Sequence, residues 1–170
     1  MVFGMSLATY TLIHTLISLV GIVTGLVVLY GLLTGNRMDK WTAVFLTTTV
    51  ATSVTGYGFP VKEILPSHIV GAISLVVLTF AIVARYSFHL RDGWRRIYVI
   101  TAVIALYLNC FVGVVQAFRN VPALKALAPK QTEPPFVAAQ LVVLLLFIAL
   151  GILATVKFPR QEAILSKQIA

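Results

Sequence analysis

Five stretches without a single Asp, Glu, Lys or Arg divide this chain: Met1–Asn36, Trp41–Val61, Ile64–Ala84, Ile97–Phe118 and Pro134–Val156. Each is at least 21 residues long, and a helix of about 20 apolar residues crosses the hydrocarbon core of a bilayer. Within lipid only helices and closed barrels satisfy every backbone polar group. A composition that is 59% hydrophobic, with a mean hydropathy of +0.99, lies far from that of a soluble domain. The expectation is an all-α, polytopic transmembrane bundle of five helices forming a single membrane domain, 1–170, with spans about 10–31, 41–58, 65–85, 97–118 and 135–156.

The net charge of +8 raises nucleic acid as a partner, but the placement of the cations argues for a lipid bilayer instead. With five spans, one side carries Arg37, Lys40, Arg85, Arg91, Arg95, Arg96, Lys157, Arg160 and Lys167, and the other Lys62, Arg119, Lys125 and Lys130. The positive-inside rule then predicts an external N-terminus and a cytoplasmic C-terminus, in a bacterial inner (cytoplasmic) membrane. The basic loops face anionic lipid in this reading. No basic residue precedes the first apolar run and no A-x-A-like site follows it, so a removable signal peptide is not expected. Cys110 is the only cysteine, which excludes an internal disulfide and a thiolate metal cluster.

Small residues mark helix contacts. Gly21 and Gly25 form a G-x-x-x-G, repeated by Gly31 and Gly35, and Gly113 lies on a face of the fourth span with Ala102, Ala105, Asn109 and Gln116. Such faces let helices approach closely. They serve packing within the chain, with self-association through Gly21, Gly25 and Gly113, or docking on other membrane subunits, as further uses. The second span is rich in Thr, whose hydroxyls in lipid bond back to carbonyls one turn earlier, and Pro60 must end it. Residues 85–96 read as a basic aromatic turn with Trp94 at the interface, and residues 119–134 as the longest external connection. In it, Pro122 and Pro129 bracket a short apolar segment on the membrane surface.

Val54-Thr55-Gly56-Tyr57-Gly58 resembles the T-V-G-Y-G filter of potassium channels, with Thr and Val exchanged and Phe59 in place of an acidic residue. Making residues 41–59 a re-entrant loop puts six cations on one side and seven on the other, which removes the charge bias. A filter also needs its Thr in register. In size and span count the chain is similar to the translocator/tryptophan-rich sensory family, which binds tetrapyrroles, but it has only Trp41 and Trp94 and no matching motif. It looks most like the small inner-membrane proteins of bacteria, a resemblance that implies no activity.

Five amide or imidazole side chains stand inside the apolar runs: His14, His68, Asn109, Gln116 and Gln140. Side chains of this kind in lipid need partners and mark candidate sites. Counting outward from the cytoplasmic ends puts His14 and His68 each about three residues, or roughly 5 Å, inside the outer boundary. Tyr57, Gln116 and Gln140 lie near that level and Asn109 deeper. Two imidazoles at one depth suit the axial positions of a b-type haem, a quinone carbonyl, or a hydrogen-bond network that locks the bundle. For haem, Gly71 and Ser18, one turn after each histidine, leave room beside a macrocycle, and Arg119 and Lys62 are cations for anionic groups. Catalysis by side chains is not expected. Asp39, Glu63, Asp92, Glu133 and Glu162 all fall outside the spans, and nucleophilic or proton-pumping chemistry would need an oriented base or an intramembrane acid. The functional expectation is a non-enzymatic ligand-holding or accessory subunit with a polar site in the outer leaflet, haem b or quinone being the sharpest ligands. A purely structural or assembly subunit and a small-molecule transporter are the alternatives.

Overall fold

The computed structural model describes residues 4–60 and 66–158 and is all-helical. The helices are α1 (Leu7–Thr34), α2 (Asp39–Gly56), α3 (Pro66–Ile82, continued by a π turn, Val83–Ser87), α4 (Trp94–Asn120), the short α5 (Pro122–Leu127) and α6 (Pro134–Lys157). Four of the helices are long and apolar enough to cross a membrane: α1, Ser67–Ser87, α4 and α6. The threonine-rich α2 is an 18-residue helix.

Local chemistry sets the helix ends. Ser6 caps α1 by accepting the Thr9 N–H at 3.1 Å. Gly35 closes the helix at φ +77° with Asn36 N–H donating to the Gly31 carbonyl at 2.7 Å, a left-handed C-terminal turn that glycine adopts without strain. The second small-residue pair, Gly31 and Gly35, therefore serves this reversal: the side chain of Met38 folds against Gly31. Pro134 opens α6 at its first turn, where a missing N–H costs nothing.

The long helices alternate in direction, and side-chain contacts give their register. Along α1 and α2, a Cβ at Gly25 would meet Phe45 at 2.8 Å, one at Gly21 would meet Thr48 Oγ1 at 3.3 Å, and His14 and Tyr10 both reach Thr55. The Thr-rich helix thus lies antiparallel to α1 from Gly31 to Tyr10. The Ser53 and Ser74 hydroxyls meet at 3.2 Å, tying α2 to an antiparallel α3. Helix α4 touches α1 through Leu106 and Asn109, and α6 through Val103 and Gly151. Phe45, Leu78, Tyr98, Val99 and Leu106 fill the centre. Helix α6 is peripheral, burying only Phe147 and Ala154. Its exposed Val142, Leu145, Ile152 and Val156 continue an apolar surface larger than water-soluble monomers carry.

Hydroxyls within α2 bond back to the helix, as expected. Thr48 donates to Val44 O at 2.8 Å, Thr55 to Ala51 O at 2.7 Å and Ser53 to Thr49 O at 3.0 Å. Val54, Thr55 and Gly56 are helical, so their carbonyls run along the helix and form no filter.

The basic turn departs from expectation. Arg85 and Arg95 belong to the turn read as facing anionic lipid, yet both are buried. Arg85 follows Leu78 by seven residues and Ala81 by four, so it shares the helical face that the bundle buries. Helix α4 begins at Trp94, which turns Arg95 inward on the face of Tyr98, Val99 and Ala102. Trp94 itself stacks on Phe88, with ring centroids 3.8 Å apart.

Candidate functional site

The far end of α2 brings together Tyr10, His14, Tyr57, Phe59 and His68. Tyr57 N–H and Gly58 N–H donate to Val54 O and Thr55 O, so the Gly56–Pro60 segment leaves the helix as a tight turn. Phe59 then packs edge-on against Tyr10 and His14 of α1, at 5.0 and 5.1 Å between centroids. Tyr57 turns the other way. Its hydroxyl donates to the His68 carbonyl at 2.8 Å, and its ring lies 5.4 Å from the His68 imidazole. Both histidines therefore flank one turn, His14 on the α1 side and His68 on the α3 side.

Thr55 governs the His14 ring. Its hydroxyl carries one hydrogen, which it gives to helix carbonyls, chiefly Ala51 O at 2.7 Å. With that hydrogen on a helix carbonyl, the 2.8 Å contact between His14 Nδ1 and Thr55 Oγ1 is satisfied by the imidazole as donor. With the proton on Nδ1, the neutral ring carries its lone pair on Nε2, which has no hydrogen-bond partner among the described residues. Tyr10 adds a second tie by donating to the Thr55 carbonyl at 2.7 Å.

The space expected at Gly71 is taken by Tyr57: a Cβ there would meet its hydroxyl at 3.3 Å and its ring at 3.4 Å. The Ser18 hydroxyl donates to the His14 carbonyl at 2.8 Å. The amides disperse as well. Asn109 donates to Thr49 Oγ1 at 3.2 Å beside Gly21, deep between α1, α2 and α4. Gln140 Nε2 donates to Phe111 O at 3.2 Å, while its buried Oε1 has no partner among the described residues. Gln116 is exposed and accepts from Asn120 one turn on. Arg119 is exposed in the last turn of α4, and Lys62 lies outside the described residues. Gly21 and Gly25 are buried against α2 and α4 of the same chain, and Gly113 faces Ile22.

Two groupings escaped sequence reasoning. Gln131 reaches back from the α5–α6 connection to donate to Val115 O at 2.7 Å. At the opposite end of the bundle, Arg85 donates to Asp39 Oδ1 and to the Arg37 carbonyl, beneath the ring of Tyr98, whose hydroxyl meets Thr42 at 3.3 Å. The available signal was the spacing Leu78, Ala81, Arg85, a buried face carried one residue further. Among the described residues no three His, Cys, Asp or Glu side chains group as a metal site. No protein-family model matches the chain, and no curated protein or solved structure matches it.

Proposed function

We propose that this chain is a five-span protein of the bacterial inner membrane, with its N-terminus outside and its C-terminus cytoplasmic. It acts as a non-enzymatic accessory subunit that holds a small ligand at the His14 end. The fifth span is α2. Its 18 residues rise roughly 27 Å, and it follows α1 through the same depth, from Gly31 to Tyr10. The nine-to-four distribution of cations supports the orientation.

The observation that carries ligand holding is the 2.8 Å contact of His14 Nδ1 with Thr55 Oγ1, which orients the ring and leaves Nε2 without a partner among the described residues. Metal-ligating histidines are oriented in this way through the opposite ring nitrogen. The Nε2 lone pair accepts a hydroxyl, as of a quinol, whereas a quinone carbonyl needs a donor that this ring has already committed. Haem b is the sharpest ligand; His14 and His68 would hold its iron, and room for it would require the Tyr57 ring to move off Gly71.

An absorption spectrum and a solvent extract of protein purified from haem-replete cells test this reading. The expected result is a Soret band, or a quinol (recovered from the extract as its quinone), that disappears in His14→Ala while helix content is unchanged. A colourless protein with an empty extract overturns it. A purely structural subunit is the second reading. It is favoured by the way Asn109, Tyr57, Gln131 and Gln140 spend their donors within the chain, and it predicts that empty protein.

A further inference from the structure

We infer that the Arg37–Asp39–Arg85 cluster is a binding site for a phosphate group, at the end of the bundle away from His14. Arg85 is 3% exposed, and its guanidinium is only partly satisfied. Nη2 donates to Asp39 Oδ1 and to Arg37 O, and the carbon of the group sits 5.0 Å from the Tyr98 ring centroid. Nη1 is buried and has no acceptor among the described residues. Arg37 Nε is in the same condition: it lies 3.6 Å from the same Asp39 oxygen, beyond hydrogen-bond reach, and is buried without a partner.

One carboxylate oxygen thus serves two guanidinium groups, and two buried charged donors are left over. Buried donors are almost always paired, so the cluster is short of an acceptor. Its charge is +1 with Asp39 ionised, and the uncapped start of α2 adds the positive end of a helix: Met38 stands at the N-cap with no side-chain bond to offer. A tetrahedral oxyanion matches this need, because guanidinium forks bind phosphate oxygens in pairs. Asp39 and Arg37 are partly exposed, which opens the cluster to the outside.

Tyr30, Trp41, Tyr86 and Phe88 are exposed around this end of the helices. Aromatic residues of this kind settle at the level of lipid headgroups. An anionic phospholipid therefore supplies the phosphate directly, and a soluble phosphate is the other source of the same chemistry.

The full-length chain in dodecyl maltoside micelles, which carry no phosphate, tests the site by thermal unfolding. Three arms add phosphatidylglycerol at one tenth of the detergent, 10 mM inorganic phosphate, or 10 mM sodium chloride as the ionic-strength control. Phosphatidylglycerol is expected to raise Tm by several degrees, with a rise at least halved in Arg37→Gln and kept in Arg91→Gln, an exposed arginine outside the cluster. A rise with inorganic phosphate, equally lost in Arg37→Gln, assigns the site to a soluble phosphate. A Tm that neither addition moves, or a rise that Arg37→Gln keeps or Arg91→Gln loses equally, overturns the proposal. Arg37 is half-exposed and its variant folds; native mass spectrometry of retained lipid gives an independent readout.

Discussion

The imidazole of His14 and the hydroxyl of Thr55 meet at 2.8 Å across the α1–α2 interface, and the carbonyl of the same threonine takes the Tyr10 hydroxyl at 2.7 Å. One residue thereby anchors two side chains of the neighbouring helix. Thr55→Val keeps the shape and removes the acceptor for Nδ1–H. Interhelical hydrogen bonds in membrane bundles average about 0.6 kcal/mol and reach about 1.7, so a loss of about 1 kcal/mol is expected by reversible unfolding in detergent. Thr55→Ser should restore it. A Thr55→Val protein as stable as the parent would show that the histidine is held by other contacts.

Gly25 and Gly113 separate two kinds of small-residue position. A Cβ at Gly25 would stand 2.5 Å from Leu106 Cδ1 and 2.8 Å from Phe45, whereas one at Gly113 would stand 3.5 Å from Ile22. Overpacking costs roughly 1–3 kcal/mol, so Gly25→Ala is expected to lose at least 1 kcal/mol and Gly113→Ala almost nothing. Equal effects at both sites would refute the packing shown by the α1–α2–α4 contact.

The helices were readable because charge and Pro punctuate the apolar runs; α3, α4 and α6 begin and end within a few residues of the expected spans. The back-bonded threonines of α2 were also legible, since the chemistry is local. What was hidden is long-range geometry. Gly71 reads as empty space until the Tyr57 ring is seen against it, and no periodicity pairs residues 57 and 71. Gln116 shares a helical face with Asn109, yet the bundle covers only the deeper of the two. Arg85 and Arg95 read as loop residues because a charged residue ends a hydropathy run, while α3 continues past that run through Arg85 and α4 starts before Arg95, on faces that the bundle buries.

Asn109 and Gln140 should respond oppositely to leucine. Asn109→Leu removes the donor to Thr49, a hydroxyl on a fully buried residue, and is expected to cost about 0.5–1.5 kcal/mol. Gln140→Leu gives up one bond to a carbonyl but also removes a buried oxygen without a partner, so it is expected to be neutral or slightly stabilising. Unfolding of the two variants under one set of conditions decides the order. A Gln140→Leu loss as large as that of Asn109→Leu would mean that Oε1 has an acceptor's role.

Glu133 gives the α5–α6 connection a dependence on pH. Slight desolvation opposes its ionisation, but the N–H groups of Lys130 and Thr132, at 3.1 and 3.0 Å, together with the Lys130 charge, outweigh it and hold the carboxyl below the usual range. A depressed folded value means that the contribution is complete above the unfolded carboxylate pKa of about 4.3 and is lost as pH falls below it. Hydrogen-exchange protection of the Lys130 and Thr132 amides should therefore hold down to about pH 4.5 and fall between roughly pH 4.5 and 2.5, and Glu133→Gln should abolish that change. Protection that is flat across this interval would show that the carboxylate does not order the turn.

Arg95 holds the end of α6, a helix with few other anchors. Its guanidinium donates to the carbonyls of Thr155, at 3.2 Å, and Phe158, and the last carbonyls of a helix have no partner within it. Phe158 is itself buried, its ring 6.4 Å from that of Tyr98. Hydrogen bonds to a charged group contribute about 1.5–3 kcal/mol, and α6 buries only Phe147 and Ala154 along the rest of its length. Arg95→Met keeps the side chain's apolar stem and removes the donors. The expected outcome is faster hydrogen exchange confined to residues 154–158, with α1 and α2 unchanged. Uniform loosening of the bundle would instead make Arg95 part of the common core, and no change at all would show that Phe158 alone secures the helix end.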